Sequence, residues 1–225
     1  MKLLAIELHR ILTEAAHFAY TDSTIPSIAV VRLEYVGATA HHFDGSPVHS
    51  LIAAATDRFT IGVSRTKLGR PEPREKRSPF AVSIPIDAVK RVLPIAKTLR
   101  RDGPHRFCTI TVDEKAAAIT FAFTTGESIT VATSVEPFPG WRHLLKPRGD
   151  GDVSAELRGY NGRYLARFAK VSGSEQMWVV TPTRVAPTVI SIGDHFVGLI
   201  MPVRPADGQH KPFEPPAWAM AEVKS

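Results

Sequence analysis

Residues 87–101, DAVKRVLPIAKTLRR, place Val89, Val92, Ala96 and Leu99 on one side of a helix and Lys90, Lys97 and Arg101 on the other. Arg91 and Arg100 flank the basic stripe, and the acids Asp87 and Asp102 stand at its two ends. Asp87 suits the helix start, where a carboxylate caps free amides and meets the positive end of the dipole. Pro94 falls on the basic, outward side, where a kink is tolerable or where two short helices meet. Two further segments repeat the arrangement. Upstream, Leu8, Ile11, Leu12, Ala15 and Ala19 share a face, with Arg10 and His17 opposite, although Glu7 and Glu14 dilute the charge. Downstream, Leu165, Phe168 and Ala169 are expected to turn inward and Arg163, Arg167 and Lys170 outward. One charged outer face is what any soluble helix shows; three in series, roughly 75 to 80 residues apart, predict a protein built to face a long polyanion.

Strand-like runs rich in β-branched and aromatic residues follow each helix. After the first come 27–36 and 50–64, the latter broken around Asp57. After the second come 106–113, 118–124 and 128–135, and after the third 177–181, 188–192 and 196–203. Short strands at 80–84 and 153–157 precede the second and third helices. A unit of strand, helix and two or three strands, occurring three times, predicts an α+β fold of antiparallel sheets with the helices segregated on one side. The expected organisation is a complete two-unit domain over 1–135, a connector over 136–152, a third unit over 153–205 and a proline-rich tail over 206–225. The basic, proline-bearing stretch 67–78 reads as a solvated connector. Phe213 and Trp218 are the tail's candidate anchors.

The chain has 225 residues, 44% of them hydrophobic, enough for a real core in one or two domains. Its 28 Lys plus Arg against 22 Asp plus Glu give a net charge of +6, which favours an acidic partner such as nucleic acid. Cys108, the only cysteine, has no partner for an internal disulfide and reads as a small buried hydrophobe in a reducing compartment. The four-residue apolar run before Glu7 is too short for a signal peptide, and no later run approaches membrane-spanning length, so a cytoplasmic protein without membrane contact is expected.

No glycine-rich phosphate loop and no zinc-finger spacing is present. His41, His42 and Asp44 form the nearest metal candidate, but adjacent histidines on an extended segment point apart, and a hairpin loop is the expectation. Asp57, Asp194 and His195 lack a nucleophile with a positioned base. A non-catalytic protein with no cofactor and no metal is therefore expected.

Three short signatures on these units carry a resemblance. Ala55-Thr56-Asp57-Arg58 resembles an Ala-Thr-Asp-Gly turn, Phe138-Pro139-Gly140-Trp141-Arg142-His143-Leu144-Leu145 resembles a Phe-Pro-Asp-Tyr-Arg-Arg-Val-Leu connector, and Leu199-Ile200-Met201-Pro202-Val203-Arg204 resembles a Val-Val-Met-Pro-Met-Arg terminus. In this order, over roughly Leu8 to Pro205, they resemble the bacterial DNA polymerase III β subunit, the sliding clamp. The resemblance implies a ring of strand-and-helix repeats with antiparallel sheets outside and helices on the inner face, enclosing double-stranded DNA without reading its bases. It implies Arg10, Lys90, Arg91, Lys97, Arg100, Arg101, Arg163, Arg167 and Lys170 as DNA-lining residues. It also implies a pocket for peptides of DNA polymerase and other partners, formed by Thr56, Phe59, Ile61, Pro139, His143, Leu144, Leu199, Met201, Pro202, Val203 and Arg204, with Ile25 a looser member. A clamp loader and a homo-oligomer follow from the same resemblance. The alternative is a clamp-like module that never encircles DNA and binds or competes for clamp partners. Where the family has Gly-His-Arg after the aspartate, this chain has Arg58-Phe59-Thr60.

Overall fold

Two glycines on neighbouring strands determine how the third unit joins the first. The computed structural model describes residues 1–22, 24–41, 47–68, 79–101, 106–145, 158–181 and 186–203. In it β4 (Thr60–Leu68) and β11 (Phe196–Ile200) run antiparallel with Gly62 opposite Gly198. A Cβ on Gly62 would lie 2.2 Å from the Phe18 ring, and one on Gly198 would lie 2.5 Å from Phe168 and 2.6 Å from the Ile61 carbonyl oxygen. Only glycine lets both aromatic rings settle onto the sheet here. Phe18, just past helix α1 (Ala5–Ala16), and Phe168, on α3 (Gly162–Ser172), then meet edge to face at 4.9 Å, with Phe196 beside Phe18 at 5.5 Å.

The remaining elements extend both ways from this seam. A seven-stranded antiparallel sheet has the order β5 (Phe80–Pro85), β2 (Val30–His41), β3 (Pro47–Thr56), β4, β11, β10 (Thr188–Ile192) and β9 (Met177–Val180). A four-stranded sheet has the order β1 (Lys2–Leu4), β6 (Phe107–Asp113), β7 (Ala118–Phe123) and β8 (Ser128–Ala132). The two approach each other through a bridge between Ser83 and Ser134. Helices α1 and α2 (Ile86–Arg101) pack together, and α1, α2 and α3 all contribute to one continuous apolar core against the sheets. The α+β class and the segregation of the helices match the sequence reading.

Most of the predicted elements are present. The break at Asp57 separates β3 from β4, and Val89, Val92, Ala96 and Leu99 of α2 are buried. Helix α2 runs unbroken through Pro94, which is exposed, so the lost amide bond falls on the solvent side. Asp87 sits inside the first turn and binds Lys90 Nζ at 2.8 Å. Strand β1 was not predicted. It is three residues long, pairs with β6, and delivers Ala5 N to the Arg106 carbonyl, which satisfies a free amide at the α1 start.

The third helix corrects the sequence reading. Its inward face is Phe168 and Ser172 with Tyr164 and Val171 half-buried, whereas Leu165 and Ala169 are exposed. The approach of Phe168 to Gly198 fixes the rotation of the helix. Asn161 caps it, its Oδ1 accepting from Arg163 N at 2.9 Å. Cys108 is fully buried, and burial pushes its thiol up to about 12. The predicted strand 153–157, the loop 69–78, His42 and Asp44, residues 146–152 of the connector and the tail lie outside the described residues. No described helix is long and apolar enough to cross a membrane.

Candidate nucleic-acid interface and partner surface

The outward arc of α2 carries Lys90, Arg91 and Lys97, all exposed, with Asp87 the acid among them. On α3, Arg163 and Lys170 are exposed beside Leu165, Ala166 and Ala169. The side chains of Arg100 and Arg101 lie outside the described residues. A positive field is legible at His17, half-buried at the end of α1: burial first, and then the charges of Lys170 and Arg167, hold its imidazole below the usual range.

Two of the sequence-derived DNA residues are held inside the fold. Arg10 bonds Glu7 at 2.7 Å and Glu14 at 3.2 Å, and also reaches Ser64 Oγ and the Arg65 carbonyl, which locks α1 to β4. Ser64 Oγ donates to Glu14, and Thr66 Oγ1 donates to Glu7. Burial would raise the Glu7 carboxyl, but Arg10 and Thr66 outweigh it and hold the group below its ordinary value. Arg167 donates to Asp57 Oδ2 at 2.6 Å and to Thr60 Oγ1 at 2.7 Å. Both guanidiniums are therefore spent on internal contacts, and neither presents a free cation.

Asp57 organises the turn between β3 and β4. Its Oδ1 accepts from Phe59 N, Thr60 N and Thr60 Oγ1 at 2.8 to 3.1 Å, while Thr56 Oγ1 donates to the Thr60 carbonyl. Thr56 and Asp57 are both buried. Thr56 is thus turn scaffold, and the side chains the turn offers to solvent are Arg58 and Phe59.

The connector signature and Leu199 of the terminal one meet on the sheet face opposite the α-helices, while the turn of the first stands at the edge, where Phe59 stacks on Tyr164 of α3. Side chains alternate along β4, so Gly62 faces Phe18 while Ile61 and Val63 face away. There Ala54, Ile61, Val63 and Leu199 form a second apolar cluster under Trp141, with Phe138 and Leu144 packed around it. Trp141 nails the connector to the sheet, and Arg142 pairs with Glu34 of β2 while lying 4.5 Å over the Trp141 ring. The Trp141 Nε1 donor is buried without a hydrogen-bond partner among the described residues. Met201 N donates to the Phe59 carbonyl at 2.9 Å, and Val203 N to the Gly159 carbonyl at 2.8 Å, which brings the terminal segment beside the turn.

The surface so assembled exposes Phe59, Pro139, His143, Met201 and Val203, with Leu144 and Pro202 half-buried. Ile61 and Leu199 are buried in the second cluster. Ile25 lies in the 25–29 turn, where its carbonyl accepts from Ile28 and Ala29, and it is not a member of that cluster. Arg204 lies outside the described residues. Trp141 also walls a groove of about 310 Å³, with Ile52, Val63, Ser191, His195 and Val197 among its lining residues, which the sequence reading did not anticipate. Asp57 and Asp194 stand at opposite ends of β4, Asp194 pairing with Lys67, so Asp57, Asp194 and His195 do not form one site.

No protein-family model and no curated protein matches this chain. Solved structures do. The DNA polymerase sliding clamp of Bacillus subtilis superposes with a TM-score of 0.69 at 14% identity, over 91% of this chain and 64% of that one. The fold is that of the bacterial DNA sliding clamps. The DNA polymerase III β subunit of Thermotoga maritima gives 0.71 at 11% identity, over 92% and 65%. A sliding clamp of Pseudomonas aeruginosa bound to griselimycin gives 0.70 at 14%, over 91% and 65%. The chain thus spans about 65% of the length of these clamps.

Proposed function

We propose that this protein is a sliding-clamp-like, non-catalytic processivity platform of the cytoplasm. It holds duplex DNA by enclosure within a homo-oligomer and recruits polymerase and other partners by short peptides. The observation that carries the reading is the clamp fold with the three described α-helices on one side of the sheets and the cations Lys90, Arg91 and Lys97 on the outward arc of α2. Lys90, Arg91, Lys97, Arg163 and Lys170 are the described residues assigned to phosphate contact, with Arg100 and Arg101 next to them in sequence. Such contacts neutralise phosphates without reading bases, so binding is sequence-independent and falls steeply with salt.

The partner surface is assigned to Phe59, Pro139, His143, Leu144, Met201, Pro202 and Val203, with Arg204 following. Burying two apolar anchors gains roughly 1.5 to 3 kcal/mol each, which after ordering costs supports micromolar affinity at best. Tethered partners need no more.

Replacing Lys90, Arg91 and Lys97 together by Glu tests the DNA face. The reading expects weaker duplex association and a salt dependence shallower by about 2 to 3 in log–log slope. An unchanged slope removes the assignment. For the peptide surface, Met201→Ala and Leu144→Ala are expected to weaken binding of a clamp-partner peptide, and parental affinity in both would remove that assignment.

A second reading is supported by the internal use of Arg10 and Arg167, which thins the cationic wall. It is a clamp-like module that binds partners without encircling DNA, and it predicts no difference between circular and linear duplex.

A further inference from the structure

The groove walled by Trp141 has an apolar floor and a charged rim. Ile52, Val63 and Val197 form the floor, and Arg65, Asp194 and His195 stand at the rim. It lies toward the Lys67 end of β4, and Phe59, Tyr164 and Met201 are not among its lining residues. Its volume of about 310 Å³ has room for one large side chain and a short stretch of backbone.

Two features of the groove ask for an occupant. Trp141 is only 6% exposed, yet its Nε1 donor has no acceptor among the described residues. A buried donor left unpaired is costly, and an acceptor brought against the indole removes that cost. Charge is the second feature. Arg65 and Lys67 share one carboxylate, Asp194, while Glu14 and Glu175 face His195 instead. A carboxylate arriving in the groove therefore meets Arg65.

The chain itself carries the complementary chemistry. Residues 204–225 leave the described fold after Val203, whose N donates to the Gly159 carbonyl. The way back from Val203 to Val197 is about 20 Å at the strand rise. Residues 204–213, fully extended, span up to about 33 Å, so Phe213 reaches the groove. Around it stand Lys211, Pro212, Glu214, Pro215 and Pro216. Proline fixes φ and donates no amide, so proline-rich segments lose little entropy on docking and offer free carbonyls to an aromatic-lined groove. Phe213 supplies the apolar filling and Glu214 the carboxylate. A nucleic acid would bring phosphates to Arg65 but nothing for Ile52 and Val197.

We propose that residues 211–216 of this same chain dock in the groove, Phe213 over Ile52 and Val197, Glu214 at Arg65, and a backbone carbonyl accepting from Trp141 Nε1. The contact straps the tail across the joint between connector and sheet. It is independent of duplex enclosure and of the partner surface at Phe59 and Met201.

The test places a nitroxide on the full chain through Ala217→Cys; Cys108 is fully buried, so the label goes to the new thiol. Nuclear magnetic resonance follows the indole N–H of Trp141, assigned by its absence in Trp141→Phe, and the methyl groups of Ile52, Val63 and Val197. The label is expected to remove most of the intensity of these signals and to spare Val89 and Val92 on α2. Phe213→Ala, a change confined to the tail, is expected to restore them. Glu214→Arg is expected to restore them in part, and its combination with Arg65→Glu to bring the broadening back. Broadening that is absent, uniform, or centred on Met201 or on Val179 and Val180 overturns the proposal, the last two because the tail then lies on the partner surface or along β9. Spin-labelled protein without isotope, mixed with enriched unlabelled protein, reports docking between copies. Broadening in that mixture equal to that within one chain also overturns the assignment.

Discussion

Gly62 and Gly198 show how single positions set the fold. At Gly62 the added Cβ would penetrate the Phe18 ring, so Gly62→Ala is expected to lower stability by about 1 to 3 kcal/mol or more in denaturant melts. Gly162, at the start of α3, has nothing within 4 Å of such a Cβ, and Gly162→Ala is expected to raise stability by roughly 0.5 kcal/mol. Ion pairs divide in the same way. The Asp57 side chain is 7% exposed and holds both Arg167 and the turn, so Asp57→Asn is expected to cost about 3 kcal/mol; Asp194→Ala, which breaks an open pair with Lys67, is expected to cost less than about 1 kcal/mol. Equal effects of the two would contradict the burial argument. His17 is half-buried with Lys170 and Arg167 near it. Its imidazole sits below the usual range, so it favours the folded state in its neutral form. That contribution is present above about pH 6.5 and fades as pH falls through the lowered value. Lys170→Ala, or duplex bound along α3, is expected to raise the His17 midpoint in an NMR titration. A midpoint that ignores both would place the DNA elsewhere.

At the scale of elements, legibility in the sequence followed the strength of the local pattern. Helix α2 was readable to its buried residues, because Val89, Val92, Ala96 and Leu99 fall on one arc and even Pro94 lands on the other. Helix α3 was readable as a helix but not in its rotation. Leu165 has the composition of an inward residue, yet the notch at Gly198 admits Phe168 and turns Leu165 outward. The fates of Arg10 and Arg167 were not readable, since their partners Ser64, Arg65, Asp57 and Thr60 lie far away in sequence and only the sheet register brings them near. The turn and connector signatures did mark a shared surface, but Thr56, Ile61 and Leu199 hold it up from beneath. Strand β9 carries the clearest unmet need. Among the described residues it pairs only with β10, and Met177, Trp178, Val179 and Val180 are all exposed, a combination that sheet edges normally avoid unless something covers them. A second copy of the chain is the proposed cover. Val179→Lys is expected to shift the solution mass to that of a monomer while circular dichroism stays unchanged, and an unaltered oligomer would exclude this edge.

For the whole molecule, the proposed function depends on enclosure, and the proposed enclosure depends on copies. The chain spans about 65% of the length of the clamps it superposes on, and the proposed ring is a homo-oligomer. Acid should act on the fold from within: the depressed Glu7 carboxyl, tied to Arg10 and Thr66, stabilises the α1–β4 seam above its ordinary value near pH 4.5 and loses that contribution as pH falls further. Charge and enclosure separate cleanly in one experiment. The protein is placed on closed circular duplex, challenged with high salt, and then followed after a single cut linearises the circle. Enclosure predicts retention on the circle through the salt challenge and rapid loss on cutting; equal dissociation from circular and linear duplex would contradict it.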